Sequence, residues 1–274
     1  MHPRAKSSNI DSMREIDRQQ AALPDGFVPN KALGQNFLTR QSVVRAIVDA
    51  VEIDEKTVLE IGPGTGALTA ELVPRAQRLI AVEKDGRLAG LLKERFGDAL
   101  TVVHADFLDA DVPALTGNTA WHAVGNLPYY ATTPIVLRLL SLLPESMTLM
   151  VQSEAAERFY AAPTERVYGP LAVVSQCFYR TKTVLNVPRE CFSPQPDVDS
   201  VVVRLTKLME SDENAVAFLK FVKQAFSMRR KTLYNNLKKD PRLNDALASL
   251  GFRSDVRAEA VPPQALLRLY QTLK

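Results

Sequence analysis

A five-residue run, Thr57-Val-Leu-Glu-Ile61, leads into Gly62-Pro-Gly64-Thr-Gly66 and then into helical spacing through Leu72. This strand, glycine turn and helix constrain the chain more than any other feature. A strand with almost no polar alternation has to be buried on both faces, which is the environment of a parallel sheet covered by helices. The pattern then repeats. Strands are expected at Leu79–Val82, Leu100–His104, Trp121–Val124 and Met147–Val151, and helices at Leu88–Phe96, Thr133–Leu143 and Glu154–Tyr160. Such alternation implies an α/β fold of the doubly wound, Rossmann-like kind with a mostly parallel sheet. Two later runs, Thr183–Val187 and Ser200–Leu205, are expected to end the sheet as an antiparallel hairpin, joined by the loop through Pro194 and Pro196. From Met209 the character becomes helix alone, with apolar spacings of three and four over Ala215–Phe226, Lys231–Leu237, Leu243–Leu250 and Pro263–Leu273. The expected organisation is a mobile leader over 1–25, an α/β domain over 26–208 and a small all-helical domain over 209–274.

Composition narrows the class. At 274 residues and 46% hydrophobic, the chain can bury a sizeable core. No apolar run approaches the roughly 18 residues needed to cross a membrane, and Met1–Gln20 is polar and charged, unlike a secretory signal. Cys177 and Cys191 stand in unlike contexts with no metal spacing, so reduced thiols, no metal site and a cytoplasmic location are expected. A net charge of +3 permits an anionic partner without requiring one. The basic residues gather at Arg229-Arg230-Lys231, with Lys238 and Lys239 following. Taken alone, such a run reads as a solvated helix face.

The glycine turn lies at the carboxyl ends of the strands, where doubly wound sheets bind ligands. Gly62 and Gly64 let the backbone approach a ligand where a side chain would clash. The spacing is Gly-x-Gly-x-Gly, not the Gly-x-Gly-x-x-Gly of dinucleotide enzymes. Glu83 ends the next strand, 21 positions after Gly62, and a carboxylate there can accept from both ribose hydroxyls. Asp106, after the third strand, can accept from an adenine amino group, although a lone aspartate there also reads as a cap or turn residue. Together the three strand ends point to a bound nucleoside.

Gly125-Asn126-Leu127-Pro128-Tyr129 follows the fourth strand. Asparagine and proline punctuate ordinary strand-to-helix turns, but the chemistry here offers more. The exocyclic nitrogen of adenine is a poor nucleophile because its lone pair is delocalised into the ring. Two acceptors aimed at its hydrogens, the Asn126 side-chain oxygen and the Leu127 carbonyl, favour a tetrahedral nitrogen whose lone pair is free to attack a methyl donor. Pro128 locks the turn, and Tyr129 is placed to stack on an extruded base. Such a transfer needs no catalytic histidine, so His104 and His122 read as structural.

These motifs do not stand alone. Lys31-Ala-Leu-Gly-Gln-Asn-Phe-Leu38, Glu60-Ile-Gly-Pro-Gly-Thr-Gly-Ala-Leu-Thr69, Gly125-Asn-Leu-Pro-Tyr-Tyr130, Tyr168-Gly-Pro-Leu171, Phe192-Ser-Pro-Gln-Pro-Asp-Val-Asp-Ser200, Arg229-Arg-Lys-Thr-Leu233 and Arg257-Ala-Glu259 occur in this order. The chain resembles the bacterial small-subunit (16S) ribosomal RNA adenine N6,N6-dimethyltransferases from about residue 31 to 270. The resemblance implies a class I methyltransferase domain that uses S-adenosylmethionine, followed by a helical RNA-binding domain. It implies four methyl transfers, two to each of two adjacent adenosines in a hairpin loop near the RNA's 3′ end, late in small-subunit assembly. It further implies that Asn36 and Leu38 contact the cofactor with Gly62, Gly64, Glu83, Asp106 and Asn126. On the same ground Phe192 is a second aromatic wall of the base pocket, and Arg229, Arg230 and Lys231 touch phosphate. Two features depart from the family. Gln152-Ser153 stands where Gln-Lys is frequent, and the leader before Lys31 has no counterpart.

Three other readings remain open on the sequence. A large-subunit rRNA methyltransferase of the antibiotic-resistance type shares the Gln-Asn-Phe-Leu and Asn-x-Pro-Tyr elements. A non-catalytic assembly factor could retain the same fold, and a NAD-dependent dehydrogenase is disfavoured by the glycine spacing. A monomer is the default expectation.

Overall fold

The computed structural model describes residues 26–51, 53–117, 119–208, 215–237 and 240–274. The expected leader, Met209 and the pair Lys238 and Lys239 lie outside the described residues.

Seven strands form one sheet: β2 (Thr57–Ile61), β3 (Arg78–Glu83), β4 (Thr101–His104), β5 (Trp121–Asn126), β6 (Ser146–Gln152), β7 (Tyr179–Val187) and β9 (Ser200–Lys207). Their order is β4-β3-β2-β5-β6-β9-β7. The pairs β2–β3, β2–β5, β3–β4 and β5–β6 are parallel, and antiparallel strands end the sheet. This is the expected α/β, Rossmann-like architecture with a mostly parallel sheet. The chain order reverses direction between β2 and β5, so the ends of β2 and β5 open the crevice where such sheets bind ligands. Residues at the middle of these strands, Leu59, Ile80, Ala123 and Leu149, are fully buried, which is why the strands read as apolar runs. His122 is buried in β5 and its Nδ1 lies 2.8 Å from Ser146 Oγ on β6, a cross-strand polar pair.

Two short strands form a second sheet. In β1 (Phe37–Leu38) and β8 (Phe192–Ser193), Phe37 pairs with Ser193 and Leu38 with Phe192 in antiparallel register. Thr39 extends the contact, since its N–H and its hydroxyl both donate to the Cys191 carbonyl, at 2.8 and 3.0 Å. Helix α1 (Gln41–Asp49) follows β1 and buries Val43, Val44, Ile47 and Val48, a stripe on one helix face.

Four helices accompany the first strands: α1, then α2 (Ala67–Leu72), α3 (Gly86–Phe96) and α4 (Val112–Thr116). They belong to a compact unit made of the described residues up to Ala131 with Ser146–Ser153 and Thr183–Arg204. A second compact unit comprises Thr132–Glu145, Glu154–Lys182 and the residues from Leu205 onward. It holds α5 (Thr132–Leu142), α6 (Ser153–Tyr160), α7 (Pro170–Phe178), α8 (Ala215–Ala225), α9 (Leu233–Asn236), α10 (Leu243–Ser249) and α11 (Pro263–Leu273). Helix α7 packs against both α8 and α11. Within this unit Phe218 of α8 meets Phe178 edge-on at 5.7 Å and Tyr270 of α11 at 5.5 Å. The Tyr168 hydroxyl donates to the Val261 carbonyl at 2.7 Å. No described helix is long and apolar enough to cross a membrane.

Candidate active site

The glycine turn leaves β2 at Ile61 and enters α2 at Ala67. Gly64 adopts φ +60°, and a Cβ there would stand 3.0 Å from the Phe37 ring. Both facts call for glycine, one by backbone conformation and one by space. The segment that carries Phe37 thus lies against this turn.

Glu83, at the end of β3, is 6% exposed. Its Oε2 accepts the Gly64 N–H at 3.1 Å and its Oε1 accepts the Asp85 N–H at 2.8 Å. Burial pushes its pKa upward and these N–H bonds partly oppose the rise. A carboxylate offers about four lone-pair directions, so two backbone bonds leave it able to accept ribose hydroxyls. Asp106 follows β4. Its Oδ1 accepts the Leu108 N–H at 2.9 Å and its Oδ2 pairs with Lys84 at 2.8 Å. Partial burial raises its pKa, but the Lys84 ammonium and the Leu108 N–H outweigh this and hold it below the usual carboxylate range. Its backbone carbonyl also starts the following turn through Asp109 and Ala110, so the turn role foreseen for a lone aspartate is present as well.

Asn126 closes β5 and its carbonyl lies 3.9 Å from where a Cβ of Gly62 would stand. The turn at 126–129 therefore borders the glycine loop directly. One residue earlier, β5 runs so close to β2 that a Cβ on Gly125 would meet the Ile61 carbonyl oxygen at 2.6 Å. Gly125 is what permits this approach, a requirement that strand periodicity does not reveal. Asn126 Nδ2 donates to the Asn36 carbonyl at 2.9 Å. A carbonyl only accepts, so the amide must face it with its nitrogen. The Oδ1 then points away, with no hydrogen-bond partner among the described residues. Leu127 is buried, and its N–H donates to the Met150 carbonyl at 3.1 Å. That bond fixes the peptide plane from which its own carbonyl follows. Ala131 N–H closes the turn on the Pro128 carbonyl at 3.0 Å. Tyr129 is half-buried with its hydroxyl 2.7 Å from Ser200 Oγ, and burial raises its pKa.

The segment before β1 carries Asn36, whose Nδ2 donates to the Gly34 carbonyl at 3.3 Å. Leu38 is 4% exposed and its side chain belongs to the core with Val43, Val44 and Ile47, so what it presents outward is backbone. Phe192, its partner across the β1–β8 register, is also 4% exposed and lies in that core. Its contacts in this structure are apolar packing.

In the helical unit Arg229, Arg230 and Lys231 are all exposed. Arg229 is engaged within the protein, its Nε 3.3 Å from Glu259 and its Nη1 donating to the Arg166 carbonyl at 2.8 Å. Arg230 and Lys231 have no side-chain partner among the described residues.

A family model described as ribosomal RNA adenine dimethylase matches residues 26–274. The chain belongs to the ribosomal RNA adenine dimethylase family. Members of that family are methyltransferases, and the chain is an enzyme of this kind. Among relatives of this dimethylase, the ribosomal RNA small subunit methyltransferase A of Bacillus licheniformis is 44% identical, over 84% of this chain and 83% of its own. A crystal structure of a dimethyladenosine transferase from Plasmodium falciparum superposes with a TM-score of 0.70 at 28% identity, covering 85% of this chain and 95% of that one. The 23S rRNA methyltransferase ErmE follows at 0.64 and 29%, covering 87% and 99%.

Proposed function

We propose that this chain transfers methyl groups from S-adenosylmethionine to the N6 of two adjacent adenosines in a hairpin loop near the 3′ end of small-subunit (16S) ribosomal RNA. The observation that carries the reading is the fixed Asn126 amide: its nitrogen is committed to the Asn36 carbonyl, so its oxygen is held as an acceptor beside the glycine loop. The donor set fits the cofactor. Gly62 and Gly64 leave backbone open to it, Glu83 retains lone pairs for the ribose, Asp106 lies at the strand end suited to the adenine, and Asn36 and the Leu38 backbone border the same turn.

When bound, S-adenosylmethionine supplies an electrophilic methyl group on a positively charged sulfur. Asn126 Oδ1 and the Leu127 carbonyl accept the two amine hydrogens of an extruded adenine, which turns the nitrogen lone pair toward the donor. Pro128 keeps the two acceptors in fixed relation. Tyr129, anchored at its hydroxyl by Ser200, is the ring assigned to stack on the base. Phe192 contributes by holding β8 against β1, and through it the cofactor segment. No side chain has to act as acid or base, because the departing thioether is neutral and the alkylated amine is acidic enough to lose its proton to water. Positioning supplies most of the acceleration. The base must leave its stack to enter the site.

In the region from residue 209 onward, Arg230 and Lys231 are assigned to phosphate, and Arg229 holds the local structure through Glu259. The proposed setting is cytoplasmic, with a monomer acting on a late small-subunit assembly intermediate.

Transfer of labelled methyl groups to unmethylated small subunits, with large subunits in parallel and the modified bases mapped, tests this reading. Label on N6 of adenines in the small-subunit RNA is expected. Label confined to large-subunit RNA, or absent despite binding, would overturn it. Asn126→Ala is expected to abolish transfer while cofactor affinity changes by less than about tenfold, since its amide reaches the substrate more directly than the nucleoside. Near wild-type transfer by that variant refutes the assigned role.

A further inference from the structure

The segment 27–38 touches the glycine loop through Phe37 and is held at several further points. Phe27 meets Phe37 edge-on at 5.7 Å. The short turn Lys31–Leu33 is closed by the left-handed Gly34, and Gln35 follows with both ends of its amide engaged. Its Oε1 accepts the Asn30 N–H at 2.7 Å and its Nε2 donates to Asp85 Oδ2 at 2.9 Å. Asp85 is only 7% exposed. Its Oδ1 accepts the Arg87 N–H and Nε, each at 3.0 Å, and its Oδ2 also takes Arg87 Nη2 at 2.6 Å. Arg87 reaches on to the Val28 carbonyl at 3.2 Å and covers the Phe27 ring at 4.8 Å.

Asp85 is the N-cap of α3, and a cap accounts for one of its oxygens. It does not account for Oδ2, which looks across the segment to Gln35. The Asp85 N–H is meanwhile bound to Glu83 Oε1 at 2.8 Å. One residue therefore ties the strand end that carries Glu83 to the residue preceding Asn36. Asn36 in turn supplies the carbonyl that orients the Asn126 amide. The connected path runs Arg87, Asp85, Gln35, the Asn36 peptide, Asn126.

We infer that Gln35, Asp85 and Arg87 are positioning residues for methyl transfer, acting through the Asn36 carbonyl to hold the Asn126 amide in the orientation that presents its oxygen to the substrate amine. The inference rests on the role proposed for Asn126 and extends it to residues that touch neither substrate nor reacting atoms. If the Asn36 carbonyl drifts, the amide loses the partner that dictates which end faces the substrate. An inverted amide presents donors to donors.

The test compares Gln35→Ala, Gln35→Glu, the pair Gln35→Glu with Asp85→Asn, and Asn126→Ala in the full chain, using single-turnover transfer to unmethylated small subunits at saturating cofactor and RNA. Gln35→Ala is expected to slow transfer roughly ten- to a hundredfold, the scale of an ångström-level misplacement, with its thermal midpoint lowered only slightly. Gln35→Glu faces one carboxylate with another and should be slower still. Adding Asp85→Asn removes the facing charge and allows an amide-to-carboxylate bond in the reverse sense, at the cost of the Arg87 Nη2 contact, so it should recover part of that further loss in the transfer step. If Asn126→Ala is inactive while both Gln35 variants stay within about twofold of wild type, the positioning inference is overturned and the site reading stands. If Asn126→Ala stays active, the site reading falls and takes this inference with it. Should the Gln35 variants fail to fold, Arg87→Gln at its exposed position decides in their place: a slowed transfer step supports the path, an unchanged one overturns it.

Discussion

Replacing Glu60 by glutamine removes a titrating group from the floor of the glycine turn. Glu60 is 1% exposed in β2, and burial pushes its pKa from 4.5 up to about 8; the Thr69 hydroxyl, donating at 2.7 Å, opposes the rise, and the nearby Glu83 adds to it. The folded state therefore holds this proton more tightly than the unfolded chain does. Stability conferred by the neutral carboxyl is present below pH 4.5 and is lost as pH rises toward 8. At about 1.4 kcal/mol per pH unit, flattening near each pKa, the loss between pH 5 and 8 reaches roughly 3–4 kcal/mol, taken as a ceiling. Glutamine has nearly the same shape, can still accept from Thr69 Oγ, and does not titrate. Urea unfolding of both proteins at pH 5, 6, 7 and 8 measures the difference, in which the titrating groups that do not interact with Glu60 cancel. The two should be close in stability at pH 5, with the variant gaining progressively as pH rises. A difference that stays constant across this range would refute the argument, and would mean that Glu60 is ionised in the fold or reached by water.

Gly125→Ala places a Cβ 2.6 Å from the Ile61 carbonyl oxygen, a backbone atom that cannot rotate away. Strands β2 and β5 must separate at the mouth of the site, so a stability loss of about 1–3 kcal/mol and a transfer rate reduced beyond what that loss explains are expected from unfolding curves and single-turnover assays. Converting Arg230 and Lys231 together to alanine should lower the slope of log affinity for RNA against log salt by about 1.5, as for two lost phosphate contacts. Arg229→Ala should leave that slope nearly unchanged and instead loosen the contact with Glu259 and the Arg166 carbonyl, read as a small drop in thermal midpoint.

Strands β2, β3, β5 and β6 were legible because each is buried on both faces, and that leaves an uninterrupted apolar run in the sequence. Helices α3, α5 and α6 were legible for the complementary reason, a repeating stripe at three and four. Helix α7 was not among the expected elements. It is apolar nearly all round, from Leu171 to Phe178, and a helix buried on every side has no polar face to set its period. The β1–β8 pair was invisible for another reason. Each strand is two residues long, and the partners lie more than 150 positions apart, so nothing local announces them. Strand β7 begins at Tyr179, earlier than the expected start at Thr183, because Arg180, Thr181 and Lys182 are polar and leave no apolar run in the sequence. Gly62, Glu83, Asp106 and Asn126, the residues proposed for the site, are picked out in the sequence by the ends of strands, positions that topology assigns to ligands. Gln35 and Asp85 were not, since their importance lies in a hydrogen bond across 50 positions that no spacing rule encodes.

The pairing of Phe37 and Leu38 with Ser193 and Phe192 also bears on how the molecule is made. Synthesis delivers the N-terminal half of this pair long before its mate, and contacts so distant in the chain form late in folding. A nascent chain halted short of Phe192 could complete β2 through β6 and their glycine turn, yet its residues 37–38 would have no strand to lie against. The methyl-donor crevice is thus finished only when about seven-tenths of the polypeptide has emerged, and a truncated product would carry a recognisable sheet with an unlatched entrance.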